Sequence, residues 1–443
     1  MKATRTPLSS LLLALFVLTG CTENLMTAGE DTPHSPIDTR TSKVRHAHLF
    51  DRAAAPQQAS KGEPMTGLVL QLLDGVDRQA LLAQYQLTSR YFYNGVFYGL
   101  AADVETSLLD EVLAKMEQDP DIVWVEPNFY TESPAFTSTP GTFNGKLPWG
   151  IERVGATESF TESGDGTDDL PEVHLFLLDT GIENTDVEIT EEQFFGDSNN
   201  TSDFYGHGTH MAGTAAALDN SVGLVGVAPK AQIHNLKATN DAGLAGMADM
   251  LAALDYVILY KAKLPSQGMV ISLSCSADVG TTAYTALDDA IETAVAAGIT
   301  VVVGAGNQGI DAATVSPAHA AGAITVGAYD VNDDFAAFSN YGASVDLLAP
   351  GVDILSTAPT SSVKGAAYAR SSGTSMAAAH VAGAAALYLA YFPTASPEEV
   401  RKVLLSYAQA TVFGTPAATT DKTVWVGSGF PMASTTADDE DDV

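Results

Sequence analysis

The chain has 443 residues, room for two or three domains, and carries 54 acidic against 21 basic side chains for a formal net charge of −33 at pH 7. A field of that sign repels nucleic acid and anionic membrane faces, so neither is an expected partner, and it suits an exported protein that stays soluble, saline water included. Cys21 and Cys275 are the only cysteines, which rules out a disulfide framework.

The first residues, Met1-Lys-Ala-Thr-Arg5, are basic, and the apolar run from Leu11 to Leu18 is too short to span a bilayer. Residues 1–20 therefore read as a signal peptide. The run ends in Leu18-Thr-Gly-Cys21, which resembles the lipobox of bacterial lipoproteins. That resemblance implies an acylated Cys21 as the mature N-terminus, with the membrane reached only through this lipid anchor, at the outer membrane or cell surface. A plain secretory signal, and so a secreted extracellular protein, is the alternative. Residues 21–64 are polar, with scattered Pro, Ser and Gln and no apolar period, the composition of a flexible linker.

The pattern changes over residues 65–132. A strand-like run at 68–73 is followed by an amphipathic helix at 76–85, aromatic strands around a turn at 90–100, and a second helix at 104–118. In that second helix Leu108, Leu109, Val112, Leu113 and Met116 recur at helical spacing, and residues 121–127 form a closing strand. This order makes a small ferredoxin-like α+β domain. Residues 133–146 are rich in Pro, Thr and Ser, an exposed linker suited to cleavage.

From residue 147 to 427 apolar runs alternate with helices: strands at 173–178, 231–236, 269–273, 299–303 and 323–328, and helices at 207–218, 244–261, 284–297 and from 377. Continuous apolar strands between helices imply an α/β domain with a mainly parallel sheet covered on both faces, and functional groups at the strands' carboxyl ends. Residues 428–443 end in Asp438-Asp-Glu-Asp-Asp442, a solvated acidic tail.

Three short stretches carry chemistry. Ser375, in Ser371-Ser-Gly-Thr-Ser-Met-Ala-Ala-Ala-His-Val-Ala-Gly383, stands at the start of a helix of small residues, where unpaired N–H groups and the helix dipole favour a developing oxyanion. An ordinary serine cap would look the same. His207, in Gly206-His-Gly-Thr-His-Met-Ala-Gly213, opens another small-residue helix and could act as base, and Asp179 closes an apolar strand where it could orient that base. A fourth stretch, Gly304-Ala-Gly-Asn-Gln-Gly309, fits the dinucleotide-binding G-x-G-x-x-G pattern, with Asp330 at a suitable distance. No amphipathic helix follows it, since Ser316-Pro317 interrupts the segment, so a phosphate would lack its helix N-terminus.

Asp179-Thr-Gly-Ile, His207-Gly-Thr-His and Gly373-Thr-Ser-Met, in that order, resemble the three signatures of the subtilase family. The resemblance implies a subtilisin-like three-layer catalytic domain over residues 147–427. Leu147-Pro-Trp-Gly-Ile-Glu-Arg-Val154 is similar to the start of that domain, and Val123-Trp-Val-Glu-Pro-Asn128 is similar to the inhibitor propeptide that precedes many subtilases. It further implies an exported, self-processing, monomeric serine endopeptidase. Such an enzyme hydrolyses protein or peptide substrates through an acyl-enzyme, with its own propeptide as intramolecular inhibitor. Ser375 would be nucleophile, His207 general base then acid, Asp179 its orienter, and Asn307, with the Ser375 N–H, the oxyanion donor.

The same resemblance implies a structural calcium ion held by the Asp186 carboxylate, the Asn220 side chain and the carbonyls of Leu218, Val222 and Leu224. The family's N-terminal ligand position falls on Gly145, and a glycine-containing turn without an ion is the alternative. The substrate pocket would be walled by Ser274, Cys275, Ser276 and Ala277 on one side and Gly304, Ala305 and Gly306 on the other. Here the chain departs from the family's Ser-Leu-Gly-Gly, so two wall glycines carry side chains, and Ala378-Ala379 replaces a Ser-Pro. Cys275 reads as a small buried residue. Two further readings stand beside this one. A catalytically dead subtilase serving as a binding module would lack one of the four groups, and all four are present. A nucleotide-dependent enzyme would need the missing phosphate site.

Overall fold

The computed structural model describes residues 42–53, 64–132, 136–145, 147–167, 169–183, 186–196, 199–220, 223–359 and 367–431. The signal peptide, Cys21, Val222 and most of the acidic tail lie outside them.

The N-terminal α+β domain runs β1 (Met65–Leu72), α1 (Arg78–Tyr85), β2 (Thr88–Tyr93), β3 (Gly99–Glu105), α2 (Leu109–Met116) and β4 (Ile122–Pro127), with sheet order β2-β3-β1-β4. Asp77 starts α1 by accepting the backbone N–H groups of Gln79 and Ala80. The run 68–70 is apolar at every position because both faces of β1 are covered there. Leu68, Leu70 and Leu72 pack under the two helices, and Val69 joins a core shared with the following domain. Residues 104–105, expected in the second helix, belong to β3 instead.

Two short strands, β5 (Tyr130–Glu132) and β6 (Thr139–Pro140), and helix α3 (Trp149–Arg153) lead into the second domain. It continues through β7 (His174–Asp179), β8 (Ile189–Phe194), α4 (His207–Ala216), β9 (Gln232–Lys237), β10 (Leu244–Gly246), α5 (Met247–Lys263), β11 (Met269–Leu273), β12 (Ala277–Asp278) and α6 (Ala286–Ala296). After these come β13 (Thr300–Gly304), β14 (Val315–Ser316), β15 (Ile324–Tyr329), β16 (Leu347–Pro350), β17 (Ile354–Thr357), β18 (Tyr368–Ser371), α7 (Thr374–Tyr391), α8 (Pro397–Tyr407), β19 (Gln409–Ala410) and β20 (Lys422–Thr423).

Nine strands form the central sheet in the order β19-β20-β16-β15-β13-β11-β7-β9-β8, and every pairing in it is parallel except β19 with β20. Alternate strand residues face opposite layers. Leu175, Leu177, Val270 and Val302 pack with α4, α7 and α8, while Phe176, Leu178, Ile271, Val301 and Val303 pack with α5 and α6. The result is the expected three-layer α/β arrangement. Helix α7 is buried from Thr374 to Ala390, and its small residues allow the approach: a Cβ on Gly383 would stand 2.7 Å from Val227 and 2.9 Å from the Ala215 carbonyl.

Two further expectations fail here. Residues 244–246 are a strand rather than the first turn of a helix, because they pair antiparallel with β5: Leu244 with Glu132, Ala245 with Thr131, Gly246 with Tyr130. Residues 42–53 are not part of a flexible linker. They form a bridge from Val44 to Val125 and a 3₁₀ turn over Ala47–Arg52, and they bury Leu49 and Ala53.

The two domains meet through helix ends. Asn128 accepts the Ala248 N–H at 2.8 Å at the start of α5, and Glu126 accepts the Ala286 N–H at 2.8 Å at the start of α6. Both oxygens satisfy otherwise unpaired helix N–H groups. In the other direction, Asp255 of α5 accepts the N–H groups of Asn94, Gly95 and Val96.

Candidate active site

Asp179 ends β7 and His207 opens α4, and the two meet: Nδ1 of His207 lies 2.7 and 2.9 Å from the Asp179 carboxylate oxygens. Because the carboxylate is an acceptor, Nδ1 carries the proton and donates. The approach depends on Gly208, where any Cβ would collide with the Gly181 carbonyl and stand 3.1 Å from Asp179 Cβ. Gly206, with φ +97°, makes the left-handed turn into the helix. Burial opposes protonation of His207, but the charge and hydrogen bond of Asp179, with Asp203 behind, outweigh it and hold the imidazole above its ordinary pKa of 6.5.

Asp203, which the motif reading does not single out, fixes this corner. It is fully buried and accepts the N–H groups of Tyr205, Gly206 and Thr209 and the hydroxyls of Thr180 and Thr209. Thr180 in turn accepts the Gly208 N–H at 2.9 Å. Burial raises the Asp203 pKa despite these bonds. Its position in Asp203-x-x-Gly-His-Gly-Thr209, just ahead of the histidine, is the signal that could have found it.

Ser375 is the second residue of α7 and lines a cavity of about 10 Å³ together with His207, Phe136, Ser371, Ser372, Gly373 and Met376. His207 Nε2 is buried there with no hydrogen-bond partner among the described residues. The ring of Phe136 stands edge-on to His207 at 5.6 Å, and its N–H donates to the Tyr205 hydroxyl. Such a constellation can transfer a proton between a serine hydroxyl and an imidazole whose far side is held by a carboxylate.

Asn307 is held from one end. Its Oδ1 accepts the Thr374 N–H at 2.8 Å and the Thr374 hydroxyl at 3.0 Å, which fixes the planar amide with its donor Nδ2 on the side of Gly373. Asn340, also missed by motif reading, holds the loop behind it. Its Oδ1 accepts the N–H groups of Gln308 and Ile310, and its Nδ2 donates to the Ala305 carbonyl and the Gln308 side chain. The G-x-G-x-x-G stretch thus ends on side-chain-fastened loop rather than a helix start.

Ser274, Cys275, Ser276 and Ala277 are buried, and Ala277 is pinned by its pairing with Ser316. Gly304 to Gly306 follow Val303, whose strand pairs in parallel with β11 at Leu273, just ahead of Ser274. Burial pushes the Cys275 thiol up to about 12, so it is not a thiolate nucleophile. At another corner of the domain Asp186, Leu218, Asn220 and Leu224 converge. Asn220 Nδ2 donates to Asp186 Oδ1 at 3.1 Å, and a cavity of about 250 Å³ opens beside Leu218, Asn220, Gly223 and Leu224, with Gly145 on its edge.

The model of the subtilase family matches residues 168–427, more than half of the chain. An extracellular serine proteinase of Thermus sp. (strain Rt41A) is 37% identical over 337 residues, covering 72% of this chain and 73% of the relative. Subtilisin DY of Bacillus licheniformis is 38% identical over 270 residues, covering 59% of this chain and 91% of that protein. Among solved structures, a cold-adapted subtilisin-like serine proteinase superposes with a TM-score of 0.54 at 30% identity, over 63% of this chain and 98% of its own. The chain, a serine protease, belongs to the subtilase family.

Proposed function

We propose that this protease is an exported endopeptidase made as a self-processing zymogen. The observation that carries the reading is the shared cavity of Ser375 and His207, with Asp179 on the far side of the imidazole. In that mechanism Ser375 Oγ attacks the scissile carbonyl while its proton passes to His207 Nε2, and Asp179 stabilises the imidazolium through Nδ1–H. Asn307 Nδ2 and the Ser375 N–H donate to the oxyanion. The imidazolium then protonates the leaving amine, and a water repeats the sequence in reverse to free the acyl group.

Residues 65–132 act as the inhibitor. Support comes from β5, which lies along β10 as a substrate strand would, and from Thr131, which bonds the Ala245 carbonyl. β5 ends at Glu132 and Phe136 lines the cavity of Ser375, which supports a first cut between these two residues. Calcium would be held by Asp186, Asn220, Leu218 and Leu224, with Val222 adding a carbonyl. These are oxygen donors only, and Gly223 supports the fit because a Cβ there would come within 2.5 Å of an Asp186 oxygen. The ion would brace this loop, not take part in the reaction. Cys21 would carry the lipid anchor. Among the described residues no helix is long and apolar enough to cross a membrane.

Mass spectrometry of the purified protein beside its Ser375→Ala variant tests the whole reading. The wild type is expected to hydrolyse casein and lose residues up to the 132–136 window. The variant is expected to do neither and, keeping its N-terminal segment, to carry an acyl mass on Cys21, a mass that in the wild type leaves with the cleaved segment. Wild-type activity in the Ser375→Ala protein would overturn the assignment.

A further inference from the structure

Residues 42–53 precede the α+β domain, yet they touch both sides of its seam with the catalytic domain. Their backbone joins the edge of β4, with Arg45 N–H donating to the Val125 carbonyl and Val125 N–H to the Lys43 carbonyl, both at 2.8 Å. Their side chains reach the other way. Arg45 donates to Asp289 at 2.8 Å and to the Tyr284 carbonyl, and lies 3.5 Å from Glu126. His46 Nε2 donates to the Tyr284 carbonyl at 2.9 Å, His48 Nε2 to the Val279 carbonyl at 3.0 Å, and Arg52 to the Asp278 carbonyl at 2.9 Å. Arg52 also reaches the Tyr130 carbonyl at 3.4 Å, on the strand that lies in the cleft.

Three features mark this as a built contact. The catalytic face offers only acceptors, three carbonyls and one carboxylate, and the segment offers only donors. Leu49 is 4% exposed and sits in the apolar core shared by both domains, with the Arg45 guanidinium 4.8 Å above Trp124. His46 is a non-glycine residue at φ +49°, a strained conformation that is retained where its surroundings hold it.

We propose that residues 42–53 are a second inhibitory clamp, docked on an exosite of the catalytic domain formed by Asp278, Val279, Tyr284 and Asp289. It lies outside the cleft and must let go before the protease becomes active. The clamp fastens the cleft strand from behind through Arg52 and ties the edge of the inhibitor sheet to the start of α6 through Arg45. Because Arg45 pairs with the Asp289 carboxylate across the seam, salt loosens it more than it loosens the backbone pairing of β5 with β10. The inference rests on the zymogen reading, and two measurements keep the two apart.

The first is hydrogen exchange on the full-length Ser375→Ala precursor, which needs no activity. Arg45→Ala with Arg52→Ala is expected to speed exchange about 3–10-fold over residues 278–289 while residues 94–96 stay protected, a change in keeping with the loss of partly exposed ion pairs. The second is the lag before peptidase activity emerges from the otherwise wild-type precursor. The same pair of substitutions should shorten it severalfold and remove its dependence on salt, with the final activity unchanged. Asp289→Asn alters the same contact from the catalytic side, so a folding defect of the arginine variants does not blunt the test. Unchanged exchange over 278–289 together with an unchanged lag, in both the arginine and the Asp289 variants, would overturn the clamp. A wild-type precursor that never becomes active would defeat the zymogen reading alone, since the exchange measurement still reports on the contact.

Discussion

Both carboxylate oxygens of Asp179 lie within 2.9 Å of one nitrogen of His207, and that nitrogen therefore keeps its proton. The other nitrogen is left as the base. Since the carboxylate outweighs burial and raises the His207 pKa above 6.5, the neutral form needed for proton abstraction is lost as pH falls through that raised value. The acid limb of kcat/KM is therefore expected above pH 6.5. Asp179→Asn removes the charge, so the limb should move to lower pH while kcat falls about 10⁴-fold through loss of the correct tautomer. A pH–rate profile of the variant with an unmoved acid limb would refute the assignment.

The Asn307 amide is oriented by Thr374, whose N–H and hydroxyl both end on Oδ1. Asn307→Leu is expected to lower kcat by about 10²–10³ and leave KM nearly unchanged, because the donor acts on charge that appears only in the transition state. Thr374→Val removes the hydroxyl bond to Oδ1 but leaves the backbone N–H bond and the donor, and should cost less than Asn307→Leu. Steady-state kinetics separate the two. An Asn307→Leu defect confined to KM would assign the residue to ground-state binding.

Self-cleavage is expected between Glu132 and Phe136, where the chain passes from the β5–β10 pairing to the ring contact with His207. N-terminal sequencing of the processed protein should begin within residues 133–136. Processing of the Ser375→Ala precursor at the wild-type rate, by itself and in pure form, would show that the cut is not its own.

How far the sequence carries can be judged from single residues. Asp179, His207 and Ser375 were legible because each closes or opens an element whose period or small-residue run is local. Leu244 to Gly246 misled because Leu244, Met247 and Leu251 fall at helical spacing, and the strand exists only through a partner more than a hundred positions away. The contact of residues 42–53 leaves no apolar period, since Leu49 and Ala53 are its only buried apolar side chains and its bonds to the catalytic domain come from Arg and His reaching carbonyls and the Asp289 carboxylate. Helix α8, by contrast, carries a readable signal in Ser396-Pro-Glu-Glu399, where a capping box closes on itself.

Calcium is expected to stabilise the corner around Asp186 and Asn220. At free calcium 100 to 1,000 times the dissociation constant, linkage contributes about 2.7–4.1 kcal/mol, so a chelator should lower Tm by several degrees. Asp186→Asn should lower Tm in calcium and blunt the response to chelator. Equal melting curves with calcium and with chelator would mean that the loop stands as a plain turn.

The last prediction concerns the residue before the cut. Ser276 and Ala277 put side chains where the family's pattern has glycines, and neither wall is free to move aside. Ala277 is laddered to Ser316, and the facing loop is fastened by Asn340, whose amide occupies the space a side chain on Gly306 would need. Gln308 is drawn back onto the same amide and brings no charge to the rim. The pocket should therefore prefer small or medium apolar residues over Arg, Lys or Trp, and the stretch the protease would cut in itself, Ser133-Pro-Ala135, is small throughout. Misfit of a methylene discriminates by about 1–3 kcal/mol, so the preference is graded. Ser276→Gly with Ala277→Gly should widen the profile towards Phe and Tyr. A peptide-library profile of the wild type led by Phe, Tyr or basic residues would show that the wall leaves the pocket its full width.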